Sequence, residues 1–432
     1  MKYTPERRTA LVLCGTGAHG AYHAGALRAL QEAGVKIDVM AGQGVGAAGA
    51  ALAAIDGAAR LWDEGGVWRG AAPAGFYRWR GPLRAAAWLA GLLVAVVAAP
   101  LLLSLAGLSV NSGAWAAAAL ALLAAVALVV GAGGALSERR AMGRRRVHGR
   151  AWRVLGAPMD ASGARNAFAT AFWHLIRGAS HVALADAAVV GRRYAEVLSE
   201  NLGQPGFREL MIVATDLDAR RDVVAALLRE PHRHAFAAAR ADRERRSDTV
   251  DLSGVGRDHA FEFVAAALAP PVLCDPYPVP FGIDSYWRGE THRLCDRPGA
   301  CVRLLEELSG VGVSQVVLVS AVPAPPVPHR MTARRLDPRH RLGEFLAAAE
   351  AAALRDAVDM ARLRFDSVYL ICPAHNPIGP FDLEGAYDEA SDRRQDLVEL
   401  MDRAYDDAYR QFIDPVVGAS GERLAHAAPE QR

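Results

Sequence analysis

Hydrophobic positions change period several times along the chain, and each change marks an element. RTALVLCG (residues 8–15) is continuously apolar from Thr9, as a strand buried on both faces is. AYHAGALRALQEAG (21–34) then recurs at helical spacing and stops at Gly34. VKIDVMAG (35–42) returns as a second strand, followed by glycines at 44 and 46 and by small residues suited to a helix start. This order of strand, glycine turn and helix, given twice, opens a parallel α/β sheet. Further buried strands are predicted at FRELMIVATDLDA (207–219), SQVVLVSAV (314–322) and DSVYLICPA (366–374). A long amphipathic helix, EFLAAAEAAALRDAVDMARLRF, lies between the last two, and a final helix covers 395–413.

Two runs break this alternation. Residues 85–108 and 114–136 carry no charge, and each would span about 34 to 36 Å as helix, enough to cross a bilayer. Only SVNSG separates them, so a helical hairpin is expected, and arginines before and after it place both ends in the cytoplasm by the positive-inside rule. The cluster RRAMGRRRVHGR fits that orientation and attraction to anionic headgroups. MKYTPERRTALVLCG does not read as a signal peptide. The expected organisation is 1–81, the first part of an α/β domain with both glycine turns; 82–138, a transmembrane hairpin; 139–205, a mainly helical connecting or lid region; 206–417, the second part of the domain; and 418–432, a flexible tail.

The 49 basic and 47 acidic residues nearly cancel, which argues against nucleic acid as a partner. Five cysteines without a C-x-x-C pair fit buried thiols in a reducing compartment, Cys14 among them as a core residue. His19 and His23 are four apart but have no third ligand, so no metal is expected, nor any cofactor. HRH (232–234) reads as a solvated loop.

Gly15-Thr16-Gly17-Ala18-His19-Gly20 fits G-x-G-x-x-G between a strand and a helix, with Asp38 on the next strand, the pattern of a dinucleotide site. Against that reading, Asp38 is followed by VMAG and the second glycine turn has no role in it. In either reading, glycines and a helix N-terminus suit an anion. The second turn, Gly42-Gln43-Gly44-Val45-Gly46, has the setting of a nucleophile elbow, whose middle residue in a hydrolase is serine.

At these residues the chain resembles the patatin-like phospholipase family. LVLCGTGAHGAYHAGALRALQEAG is similar to its oxyanion segment, KIDVMAGQGVGAAGAAL to its G-x-S-x-G elbow, and LMIVATDLDA to its central strand. PVLCDPYPVPFGIDSYWRGETHRLCDRPG is similar to the segment bearing the catalytic aspartate, which falls on Asp296. The resemblance implies a patatin-like parallel-sheet sandwich with helices on both faces, here interrupted by the hairpin. It also implies an oxyanion turn at Gly15 to Gly20. The departures are Gly44 at the nucleophile position, Thr16 for a glycine, His19 for a basic residue, and Arg297-Pro298 after the aspartate. Asp216 is read as structural.

Two functions follow. In one, a protein anchored in the cytoplasmic membrane, with impaired serine-type hydrolysis, binds a lipid or acyl ligand as a regulator. In the other, a phospholipase or acyl-ester hydrolase works by a non-serine route, through water activated by Asp296 or through Thr16. A nucleotide-binding membrane protein is a remote third, and oligomeric state stays open.

Overall fold

The uninterrupted apolar runs of the sequence become neighbouring strands, because a strand apolar on both faces must have both covered. In a computed structural model, residues 3–106, 112–140, 157–178, 183–238, 245–285, 287–323 and 338–418 are described. The chain forms two compact units, Met1–Phe76 with Ala161–Pro271 and Pro276–Arg432, and Tyr77–Asp160 with Val272–Asp275.

The larger unit begins with β1 (Thr9–Gly15), α1 (His19–Glu32), β2 (Val39–Gly44) and α2 (Val45–Ala54). The smaller unit supplies β3 (Arg78–Trp79), α3 (Gly81–Leu105), α4 (Ser112–Arg140) and β4 (Met159–Asp160). The larger unit resumes with α5 (Ser162–Ile176), α6 (Ala187–Asn201), β5 (Glu209–Asp216), β6 (Arg221–Leu227), α7 (His232–Ala238) and β7 (Ser247–Asp251). It continues through α8 (Ala260–Ala267), β8 (Tyr277–Pro280), β9 (Thr291–Cys295), α9 (Cys301–Gly310) and β10 (Gln315–Ser320). It closes with α10 (Pro338–Arg364), β11 (Ser367–Ile371), the pair β12 (Ala386–Asp388) and β13 (Arg393–Gln395), and α11 (Leu397–Ala408).

The main sheet runs β11-β10-β1-β2-β5-β6-β7, with β9 on β5 and β8 on β9. The five strands from β11 to β5 are mutually parallel. Alternation along β1 sends Ala10, Val12 and Cys14 to one face, where they join Leu304, Leu305 and Leu308 of α9 and Leu354, Ala357 and Val358 of α10. Leu13, of opposite parity, meets α2 at Gly49, so helices cover both faces.

The sheet is parallel over these five strands, as expected, and becomes mixed beyond β5. Only Leu217 to Arg220 separate β5 from β6, too few for a crossover, so β6 turns back antiparallel. Asp216 sets that turn: its Oδ1 accepts from the N–H groups of Asp218 at 2.8 Å and Ala219 at 3.0 Å. The same strand end also receives β9 antiparallel, Thr215 opposite Cys295. HRH is likewise not a loop. It opens α7, and Arg233 pairs with Asp251 at 2.9 Å.

In the smaller unit α3 and α4 pack on each other, and β3 pairs antiparallel with β4. Leu83–Leu105 is long and apolar enough to cross a membrane by length and composition, and none of its apolar window is buried. Within α4, Gly113–Leu128 is a shorter apolar stretch among the residues whose side chains are described. Among the described residues the structure therefore offers one candidate crossing in place of the expected pair. Residues 141–150 of the arginine cluster and the tail from 419 lie outside the described residues.

α1 is held against α11 by a buried polar contact, Tyr22 Oη donating to Asp407 Oδ2 at 2.9 Å, with Arg410 on the other carboxylate oxygen. Tyr22→Phe should lower the unfolding free energy by about 1.5–3 kcal/mol, since it strips one hydrogen bond from a buried charge. Urea titration at unchanged m-value measures this, and an unaltered midpoint would mean that Arg410 alone satisfies Asp407.

Candidate functional site: two glycine turns and a buried aspartate

Parallel pairing brings β1 and β2 to the same level, with Gly15 beside Gly44 at their carboxyl ends. β1 then passes through Thr16, Gly17 and Ala18 into α1, whereas β2 enters α2 directly, with Gly44 as its N-cap. Gly44 has φ 62° and ψ −134°, a backbone region that costs a side-chain-bearing residue about 1–3 kcal/mol. Gly42, Gln43, Val45 and Gly46 around it are all buried.

The space at Gly44 is taken. A Cβ built there would lie 2.3 Å from the Gly15 carbonyl oxygen and 2.9 Å from Asp296 Oδ2. Asp296 reaches this point because β9 ends beside β5, and its own N–H is anchored on Ala269 O at 2.9 Å. Thr16 Oγ1 donates to Asp296 Oδ2 at 2.8 Å, and Gln43 Nε2 donates to Oδ1. The three side chains form one buried cluster that joins both glycine turns to the aspartate.

Burial pushes the Asp296 carboxyl up to about 7, against the opposing pull of the Gln43 and Thr16 hydrogen bonds, and nearby Glu350 adds to the rise. Asp296 is only 1% exposed, so dehydration outweighs two donors. Arg297, the next residue, faces away and pairs with Asp222.

His19 opens α1, and its Nδ1 lies 3.0 Å from Glu350 Oε2 of α10. Neither that nitrogen nor either Glu350 oxygen has a hydrogen-bond partner of normal geometry, although the two groups are close. His23 lies one turn further, its Nε2 3.1 Å from the Cys14 carbonyl, and burial lowers its pKa to about 3. A neutral ring donating to that carbonyl satisfies both observations. Among the described residues no group of three or more His, Cys, Asp or Glu side chains is arranged to hold a metal.

The turn itself is covered. Ala18 N donates to Pro380 O at 2.8 Å, and a Cβ at Gly17, where φ is 61°, would come within 1.9 Å of the same oxygen. Gly20 N turns inward to Gly17 O at 3.1 Å. An anion seeking the Ala18 N–H must displace Pro380. Beside the turn a cavity of ≈ 20 Å³, room for about one water, is lined by Gly15, Gln43, Ser320 and Glu350 among others.

A dinucleotide does not fit this arrangement. Asp38 precedes β2, and its Oδ2 accepts from Thr9 N at 2.9 Å, at the opposite end of the strands from the glycine turn. Asp38 is therefore not presented to a ribose beside Gly15 to Gly20.

Residues 11–62, from β1 through both turns into α2 and beyond, match the family model of patatin-like phospholipases. That stretch resembles the patatin-like family. Among solved structures, the crystal structure of VipD from Legionella pneumophila resembles it at 13% identity and a TM-score of 0.31, covering 96% of this chain and 67% of that one. No protein of curated function matches it.

On the patatin-like pattern the structure gathers Gly44, Gly15, Thr16, Gln43 and Asp296 at one point. Sequence reading did not find Glu350, Pro380 or the contact of Gln43 with Asp296. Glu350 did leave a signal, a single carboxylate inside LAAAEAAAL. Pro380 acts through its main-chain carbonyl, which no residue type advertises.

Gly44→Ala should cost roughly 2–5 kcal/mol, from left-handed strain and overlap with Gly15. Equilibrium unfolding measures it, and a cost under 1 kcal/mol would show that the turn yields easily. Asp296 titrates higher when folded than unfolded, so between about pH 4 and 7 the folded state binds its extra proton and the aspartate's contribution to stability falls as pH rises, levelling off above 7, while buried neutral His23 contributes a slope of the opposite sign. Asp296→Asn should remove the aspartate's slope, and an unchanged pH profile of the unfolding free energy would place its origin elsewhere.

Proposed function

We propose that this patatin-like protein does not hydrolyse lipid esters by serine chemistry, and that it works at a membrane as a lipid- or acyl-responsive regulator. The observation that carries the first part is the Gly15 carbonyl oxygen, 2.3 Å from where a side chain on residue 44 would start. Nucleophile and room for it are absent together. Loss of a nucleophilic serine alone costs about a millionfold in turnover. Here one turn N–H, that of Ala18, is also engaged by Pro380.

Support for the membrane part lies in the smaller unit. Trp88 is 77% and Leu105 78% exposed on α3, and Leu83–Leu105 meets the length of a bilayer core at roughly 34 Å. Arg78, Arg80 and Arg84 cluster before or within its first turn, as at a cytoplasmic boundary. Since the cavity beside Gly15 takes about one water, lipid contact in this reading falls on the apolar helices.

A second reading keeps hydrolysis. The Thr16 hydroxyl stands 2.8 Å from Asp296, within reach for proton removal, and the aspartate's pKa of about 7 suits a base near neutrality. Its weakness is access: Thr16 is 1% exposed and the Ala18 donor is occupied.

Full-length protein and its Gly44→Ser variant, each given a fluorophosphonate probe and a short-chain ester, separate the readings. We expect no labelling and no turnover from either, and recovery of the wild type in the carbonate-resistant membrane fraction. Turnover by the wild type that Thr16→Val or Asp296→Asn abolishes would establish the second reading. A protein wholly released by carbonate would remove the anchor.

A further inference from the structure

β1 ends in a cysteine that the glycine-turn chemistry leaves unused. Cys14, the penultimate residue of β1, and Cys301, the first of α9, bring their sulfurs to 2.8 Å, although 287 residues separate them in sequence. That is about 0.8 Å more than an S–S bond of roughly 2.05 Å. Both are thiols, both are buried, and both line the ≈ 20 Å³ cavity beside Gly15.

We propose that Cys14 and Cys301 are a redox modification site, a dithiol that hydrogen peroxide converts to a disulfide stapling β1 to α9. The size of the cavity selects the oxidant. It has room for about one water, so a peroxide of two oxygens enters with small adjustment and a glutathione-sized disulfide does not.

Glu350 lines the same cavity, and the thiol proton passes to the peroxide oxygen that departs. One cysteine sulfur attacks a peroxide oxygen. The O–O bond breaks, the sulfur becomes a sulfenic acid, and the departing oxygen leaves as water with the thiol's proton. The second sulfur attacks the sulfenic sulfur, the S–O bond breaks, and its proton leaves with that oxygen as a second water. Two thiols and one peroxide give one disulfide and two waters, the sulfurs losing two electrons to the peroxide. At rest the Cys301 contact and burial hold the Cys14 thiol well above its ordinary pKa, which keeps the attacking thiolate scarce.

The link would fix the connection from Asp296 to Cys301 against β1. It stands apart from the functional reading above, since it needs neither lipid nor turnover. The test takes reduced full-length protein in native buffer, with and without hydrogen peroxide, followed by iodoacetamide, non-reducing digestion and mass spectrometry. A Cys14–Cys301 linked peptide is expected only after peroxide and should vanish with dithiothreitol. In Cys301→Ser that peptide should be absent, with dimedone trapping Cys14 as the sulfenic acid. Wild-type protein in which Cys14 and Cys301 stay fully alkylated after peroxide, or pass to sulfinic acids without a linked peptide, overturns the proposal.

Discussion

The Gly15 carbonyl leans into the volume that a side chain on residue 44 would need, and the surrounding arrangement follows from that approach. Parallel register sets Gly15 and Gly44 abreast, and the backbone of one closes the elbow formed by the other. Because the filling atom belongs to the main chain, a rotamer change does not move it away. A serine in this place would need the first strand's exit to follow a different path, so the vacancy and the turn geometry are one property.

Asp296 shows what happens to a carboxylate in such surroundings. It keeps two donors, Thr16 and Gln43, each from a different glycine turn, and so acts as a rivet between them. Buried hydrogen bonds to a charged group contribute about 1.5–3 kcal/mol, while dehydration of that charge costs several. The raised pKa records dehydration winning. Thr16, where the resemblance leads one to expect glycine, supplies one of the donors, so the departure at 16 and the retention of Asp296 are physically coupled.

Local patterns carried much of this. Strands such as β1 and β10 have apolar middles and stand out in sequence, and so do the glycines that punctuate the two turns. Asp296 needed the family resemblance, since its position at the end of β9 follows from antiparallel pairing with β5 that no local period reveals. The mixed sheet was hidden in a four-residue turn, where loop length outweighed the parallel theme of the opening strands. Pro380, Glu350 and Cys301 are brought in from the last third of the chain, and their contacts depend on three-dimensional closure.

The sheet order also sets a timetable. β1 lies between β2 and β10, and Thr9 is bonded to Gln315 across 306 residues. At synthesis rates of about 5–20 residues per second, the first strand made waits roughly 15 to 60 s for its second neighbour. During that wait the edge of β1 is open and its amides are unpaired on one side, a template for any passing extended chain. Contacts of such long range also slow the folding search itself. A ribosome-bound chain of this kind is the form in which a chaperone has most to protect.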